Sequence, residues 1–137
     1  MVLVFFYGLF MDPELLRDRG VRVAGPRPAR LQGYRPVLGA RVTLVPDEGF
    51  TTWGMLMEIG ARDLERLYAD ASVSAYRPEP VRVLLEEGAT VEAVCYNVPP
   101  PLPATPPDQA YARRLHALCA RLGFPASYLA VLARACG

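Results

Sequence analysis

The strongest constraint on the fold is the continuous apolar run near the start of the chain, Val2 to Phe6. It is rich in β-branched and aromatic residues, a pattern typical of a strand that is buried on both faces. We therefore predict a central strand here. The segment Tyr7 to Phe10 contains a glycine and predicts a turn at the end of this strand.

Capping residues and apolar spacing predict four helices. Asp12, Pro13 and Glu14 favour a helix start, and Gly20 favours its end, so a short helix is predicted to about Arg19. The other three helices are predicted at Ala61 to Asp70, from the cap Asp108 to Gly123, and at Ser127 to Ala135.

The remaining segments predict strands joined by turns. Between Val21 and Val45, glycines and prolines interrupt the chain and leave short extended pieces, Ala29 to Tyr34 and Arg41 to Val45. Pro46 to Gly49 predicts a turn into the next strand. Further strands are predicted at Thr51 to Ile59, Val81 to Leu85 and Val91 to Tyr96. This spacing favours a β-meander or a barrel over βαβ units.

The length of 137 residues fits one domain. With 52% hydrophobic and 21% charged residues, the chain can build a core, which excludes disorder throughout. We predict a barrel core over residues 1–98 and C-terminal helices over residues 108–136. Six prolines over residues 99–107 predict a stiff extended connector between them.

Composition excludes several classes of function. All 15 basic residues are arginines, but 14 acidic residues are interspersed and the net charge is +1, so no nucleic-acid partner is predicted. No apolar run approaches a membrane span, and the first residues lack the charge pattern of a signal peptide. The three cysteines have no paired spacing, so we expect neither disulfides nor zinc, and a cytoplasmic location.

The most informative local feature is the junction of strand, turn and helix at Phe5 to Asp12. A buried strand that ends at a glycine leaves backbone N–H groups without strand partners, and such groups can bind a carboxylate or a phosphate. An ordinary turn is the alternative. His116 and Cys119 lie one helical turn apart, and we expect both to have packing roles because nothing nearby would lower the pKa of the thiol.

Five short motifs resemble, in the same order, the γ-glutamylcyclotransferase-like (AIG2-like) family. The opening Tyr7-Gly8-Leu9 resembles its Tyr-Gly-Ser/Thr-Leu/Asn signature. The others are Trp53-Gly54-Met55-Leu56, the helix Asp63 to Leu67, Tyr76-Arg77 followed by Val81-Arg82-Val83, and Leu122-Gly123-Phe124-Pro125 with Tyr128. The last of these is similar to an element of some bacterial members.

The resemblance implies an α+β fold, a small mixed β-barrel flanked by short helices with a C-terminal helical extension. It also implies an activity without a metal or an organic cofactor, in which a γ-glutamyl group cyclises to 5-oxoproline. The backbone of the loop Tyr7, Gly8, Leu9 and Phe10 would bind the carboxylate of this small molecule, with Tyr76 also at the site. A glutamate in the family's Leu-Asp-x-x-Glu-Gly motif would act as the base.

This sequence departs from that machinery at two positions. Ala71 occupies the position of the catalytic glutamate, and Leu9 replaces the Ser/Thr of the loop. Asp70 is one residue away, but one residue on a helix turns the side chain by about 100°. Glu58 and Glu79 are further carboxylates, which no spacing favours as a base.

Three hypotheses follow. The chain is a divergent cyclotransferase that uses Asp70 or another carboxylate as its base, or it is a binding module that keeps the loop and has lost the base. A weaker third hypothesis makes the connector and the C-terminal helices a protein-interaction arm. Loss of a general base typically slows a reaction by about 10² to 10⁴, which favours the binding module for the familiar reaction.

Overall fold

The computed structural model describes residues 1–137, which form five strands and four α-helices. In chain order, the strands are β1 (Val2–Phe6), β2 (Val23–Leu38), β3 (Val42–Ile59), β4 (Arg77–Leu85) and β5 (Thr90–Asn97). The helices are α1 (Pro13–Asp18), α2 (Ala61–Ala69), α3 (Gln109–Arg121) and α4 (Ala126–Ala133). A short 3-10 helix, Leu9–Met11, precedes α1.

The strands close into a mixed barrel in the order β1-β3-β2-β4-β5. Strand β1 pairs with β3 in the antiparallel and with β5 in the parallel direction. Its consecutive residues Val4, Phe5 and Phe6 are all buried, so both of its faces are covered. The predicted central strand and the predicted barrel are therefore confirmed, and the fold is α+β.

The region from Val21 to Gly49 differs from the sequence prediction. Instead of short strands, the chain forms one long antiparallel pair, β2 and β3, which turns near Ala40. The prediction that a turn at Pro46 to Gly49 separates two strands is wrong. These residues belong to a bulge inside β3, where the pairing with β2 skips from Thr51 to Pro46. A bulge leaves residues unpaired and bends the strand, so glycine and proline are accommodated without ending it.

The helix predictions are confirmed to within two residues at each end. Asp12 accepts a hydrogen bond from the N–H of Glu14 at the start of α1, and Asp108 accepts one from the N–H of Tyr111 at the start of α3. Gly20 and Gly123 adopt positive φ angles of 78° and 79° just after α1 and α3. These angles favour glycine, which explains where both helices end.

The C-terminal helices pack against the outside of the barrel. Phe124 and Trp53 of β3 have ring centroids 5.6 Å apart, and Leu115 and Leu132 are fully buried in the same apolar cluster as the barrel residues. Residues 98–107 form neither helix nor strand. None of the helices is both long and apolar enough to cross a lipid bilayer.

Gly54 of β3 lies close against β1. A Cβ atom at this position would overlap the carbonyl oxygen of Phe6 and lie 2.6 Å from Cζ of Phe5. Both obstacles belong to β1 and are buried, so neither can move without disturbing the barrel.

We expect Gly54→Ala to lower the free energy of unfolding by about 2 to 3 kcal/mol, because buried overpacking costs this much. The measurement is urea denaturation followed by tryptophan fluorescence. Gly39→Ala is the matched control, since a Cβ there meets its nearest atom, the Thr105 carbonyl oxygen, at an ordinary 3.5 Å. Equal stabilities for the two variants would contradict this account of the β1–β3 contact.

Candidate functional site

The loop after β1 contains a backbone N–H group that makes no hydrogen bond within the protein. Met11 donates to the carbonyl of Gly8 at 3.0 Å, and Asp12 donates to that of Leu9 at 3.2 Å, which closes the 3-10 turn. The N–H of Gly8 takes part in none of the backbone hydrogen bonds made by turns and loops. This is the type of donor that the sequence predicts at the end of a buried strand.

A cavity of about 40 Å³ lies beside this loop. The structure brings together all five residues predicted to bind the ligand, because Tyr7, Gly8, Leu9, Phe10 and Tyr76 all line this cavity. The other lining residues are Phe5 and Phe6, which precede the loop, and six from distant parts of the chain: Arg41, Val42, Tyr68, Val73, Tyr96 and Tyr111. The cavity walls therefore contain one cation and no carboxylate.

Tyr111 of α3 is the contact that the sequence analysis missed. A Cβ placed on Gly8 would lie 3.1 Å from the Tyr111 hydroxyl oxygen, so this hydroxyl sits directly against the loop. Burial raises the pKa of Tyr111, and the positive charge of Arg41 and the nearby N–H groups of Leu9 and Val42 partly oppose that rise. The phenol is therefore neutral near pH 7.

Tyr7 fixes the loop to the end of the neighbouring strand β5. Its hydroxyl lies 2.6 Å from the carbonyl oxygen of Tyr96 and 2.7 Å from Oδ1 of Asn97, both acceptors. The amide of Asn97 in turn donates to the carboxylate of Glu79. Burial raises the pKa of Tyr7 well above its ordinary value, so the phenol stays neutral and acts as a donor. Its hydroxyl thus holds the loop in place.

Three further tyrosines line the cavity: Tyr68, Tyr76 and Tyr96. The Tyr76 hydroxyl donates to the carbonyl of Val42, and burial raises the pKa of Tyr76. Tyr68 stacks on Tyr96 with ring centroids 3.9 Å apart and planes 7° from parallel. Arg41 lies over the Tyr111 ring, 5.8 Å from its centroid. The cavity is thus an aromatic enclosure with one guanidinium at its edge.

Ala71, which the motif resemblance aligns with the family's base, and its neighbour Asp70 lie outside this cavity. Helix α2 ends at Ala69, and Asp70 and Ala71 are exposed. The Oδ1 atom of Asp70 accepts hydrogen bonds from the hydroxyl and the N–H of Ser72, at 2.6 and 2.9 Å, and these bonds lower the pKa of Asp70. Neither Asp70 nor Ala71 lines the cavity.

The other candidate residues are also placed away from the cavity walls. Glu58 is exposed on β3, and Glu79 is half-buried beside Asn97. Cys119 is fully buried, and burial raises the pKa of its thiol to about 12, as expected for a packing residue. No group of three or more His, Cys, Asp or Glu side chains is arranged to hold a metal ion.

A comparison with protein families identifies the family of this chain. Residues 4–115 match the family described as γ-glutamyl cyclotransferase, AIG2-like. The chain belongs to this AIG2-like γ-glutamyl cyclotransferase family. The resemblance drawn from the short motifs is therefore confirmed. None of the curated protein sequences compared with this family member matches it significantly.

Solved structures show the same fold. A structure described as a γ-glutamyl cyclotransferase aligns with a TM-score of 0.80 and 22% identity, covering 96% of this chain and 85% of the other. YkqA from Bacillus subtilis aligns with a TM-score of 0.80 and 24% identity, covering 98% and 54%. An AIG2-like protein from Mus musculus aligns with a TM-score of 0.63 and 17% identity, covering 79% and 86%.

The role of Tyr7 in this family member can be tested by Tyr7→Phe. We expect the free energy of unfolding to fall by about 1 to 3 kcal/mol, because the buried oxygens of Tyr96 and Asn97 lose their donor. The measurement is chemical denaturation. Tyr96→Phe is the matched control, since the Tyr96 hydroxyl makes none of the side-chain hydrogen bonds above, and we expect it to change stability by less than about 0.5 kcal/mol. A loss of similar size in both variants would contradict the anchoring role.

Proposed function

We propose that the loop cavity binds the carboxylate of a small γ-glutamyl compound or of 5-oxoproline, and that the chain lacks the family's base and acts as a binding module. The observation that carries this proposal is the cavity itself, which places the free Gly8 N–H and Arg41 together among neutral tyrosines. Because the three cysteines lack paired spacing, we also propose that the protein binds this ligand in the cytoplasm.

The size of the cavity supports a carboxylate. A volume of about 40 Å³ holds roughly three water molecules, which is close to the bulk of one carboxylate group. A backbone N–H and a guanidinium both form strong hydrogen bonds with an anion. The neutral phenols add no negative charge that would repel it. The rest of a γ-glutamyl ligand would extend past Arg41 and Tyr111.

The missing base supports binding over catalysis. Cyclisation requires the α-amino nitrogen to attack the γ-carbonyl carbon while the C–N bond to the released amine breaks. Because an α-amine is mostly protonated at neutral pH, a base must first remove its proton. No carboxylate lines the cavity, and every lining tyrosine with a shifted pKa has it raised, so none of them is a base near pH 7.

Binding is tested by isothermal titration with 5-oxoproline and γ-glutamyl-alanine. We expect Gly8→Ala to weaken the binding of both compounds by about tenfold or more. The new Cβ would lie 3.1 Å from the Tyr111 hydroxyl and 3.1 Å from Cγ1 of Val42, and it would obstruct the loop. Gly60→Ala is the control, since its Cβ meets Asp63 at an ordinary 3.5 Å. If the unaltered chain binds neither compound at millimolar concentration, the proposal is wrong and the interaction-arm hypothesis leads.

Cyclotransferase activity is the second candidate, supported by the family match over residues 4–115. It would require Asp70 or another carboxylate as the base, and the hydrogen bonds that Asp70 accepts from Ser72 lower its pKa, so it stays ionised at neutral pH. The assay is release of 5-oxoproline from γ-glutamyl dipeptides and γ-glutamyl amines.

We expect no release above background, because Asp70 is exposed and outside the cavity. Asp70→Asn should then leave ligand binding unchanged. Release that is lost in Asp70→Asn but kept in Glu79→Gln would replace the binding module with an enzyme whose base is Asp70.

A further inference from the structure

The C-terminal helices carry only positively charged side chains. Residues 109–137 contain no aspartate or glutamate and four arginines, which are Arg113, Arg114, Arg121 and Arg134. The other eleven arginines and all fourteen acidic residues lie in residues 1–108, where they leave a formal charge of −3. The net charge of +1 for the whole chain therefore conceals two regions of opposite sign.

The outer face of α3 presents part of this charge to solvent. On its inner side, Leu115, Leu118 and Cys119 belong to the apolar cluster of the barrel. Four residues of the outer side are exposed: Arg113, Ala117, Ala120 and Arg121. They fall within about 100° of one another around the helix axis, so they form one surface, which we call the α3 face. None of the four lines the loop cavity.

The two arginines of the α3 face are available to a partner. Arg113 belongs to none of the four ion pairs of the chain. Arg121 approaches the carboxylate of Asp12 at 3.8 Å, but its side chain stays 66% exposed. An exposed pair at this distance contributes little, so Arg121 can exchange Asp12 for another carboxylate at small cost.

The two alanines allow a partner helix to come close between the arginines. Ala117 and Ala120 have no side-chain atoms beyond Cβ, and small side chains at a contact permit a short distance of about 8 Å between helix axes. Arg113 and Arg121 are eight residues apart, which is about 12 Å along the axis. Carboxylates seven or eight residues apart on another helix have nearly the same separation, about 10.5 to 12 Å, so each meets one guanidinium.

Charge distinguishes the possible partners of this face. A second copy of the chain that docked through the same face would bring its own arginines, and the two faces would repel each other. An extended polyanion, such as a nucleic acid or an anionic membrane, would also approach the negative side chains of residues 1–108, which oppose binding within a screening length of about 8 Å. A short acidic helix covers the α3 face alone and avoids this repulsion.

We propose that the α3 face binds an acidic helix of a partner protein, through carboxylates about two helical turns apart that pair with Arg113 and Arg121. This surface is separate from the loop cavity, so the inference does not depend on the ligand proposed there. It narrows the interaction-arm hypothesis to one helix face and assigns no contact to the proline-rich connector.

The test uses two labelled, alanine-rich helical peptides of the same composition, each about 20 residues long. In the aligned peptide, glutamates seven residues apart share one face, whereas in the isomer glutamates five residues apart point in different directions. Fluorescence anisotropy is measured at about 0.01 M salt, where the screening length is about 30 Å. The unaltered chain should bind the aligned peptide at least about threefold more tightly than the isomer, because only the aligned peptide places two carboxylates on the two arginines.

Substitutions locate the binding face. Arg113→Gln and Arg121→Gln should each weaken binding of the aligned peptide about two- to fivefold, because each removes one exposed ion pair. Arg62→Gln is the matched control, since Arg62 is also exposed on a helix, belongs to none of the four ion pairs and contributes the same charge. It should change the affinity by less than about 1.5-fold, because it lies on α2 and makes no contact with the peptide.

Several outcomes would overturn the proposal. If neither peptide binds at millimolar concentration, or if both bind equally, the α3 face does not recognise an acidic helix. An equal loss in Arg113→Gln and Arg62→Gln would show attraction by net charge alone. Tighter binding of a DNA duplex or of phosphatidylserine vesicles than of the aligned peptide, lost in Arg113→Gln, would assign the face to a different class of partner. Carboxylate binding at Gly8 is measured separately with 5-oxoproline, so it stands or falls independently.

Discussion

The site depends on the hydrogen bonds of the Tyr7 hydroxyl. They join the residue that follows β1 to the last residues of β5, the two strands that close the barrel in the parallel direction. Tyr7 is buried and held by these bonds, and the next residue, Gly8, lines the cavity. Asn97 and the half-buried Glu79 extend this chain of partners, and none of the buried side-chain nitrogen and oxygen atoms lacks a hydrogen-bond partner.

The same architecture keeps carboxylates out of the walls of the loop cavity. The possible donors there are backbone N–H, guanidinium and phenol groups. Asp70 stabilises the turn after α2 through Ser72, and Glu79 accepts from Asn97. Ala71, which the motif resemblance aligns with the family's glutamate, also lies outside the cavity walls, so the shape of the cavity does not depend on the side chain at that position.

Local sequence patterns predicted the elements better than they predicted the site. The strand Val2–Phe6 and the helices capped by Asp12 and Asp108 were predictable because their signals lie within a few residues. The glycine and proline residues of Pro46 to Gly49 were misleading, because a bulge and a turn need the same residue types. Arg41 and Tyr111 could not be assigned to the cavity from sequence, since only the closed barrel brings them to the Gly8 loop.

Helix α3 joins the loop cavity to the β2–β3 turn. The N–H of Asp108 donates to the carbonyl of Gly39 at 2.9 Å, and the Tyr111 hydroxyl of the same helix lies against Gly8. A residue inserted in the proline-rich segment before α3 would strain that hydrogen bond, and any shift of α3 would move Tyr111 relative to the Gly8 loop. The length of the connector is therefore constrained by the loop cavity, although residues 99–107 lie outside its walls.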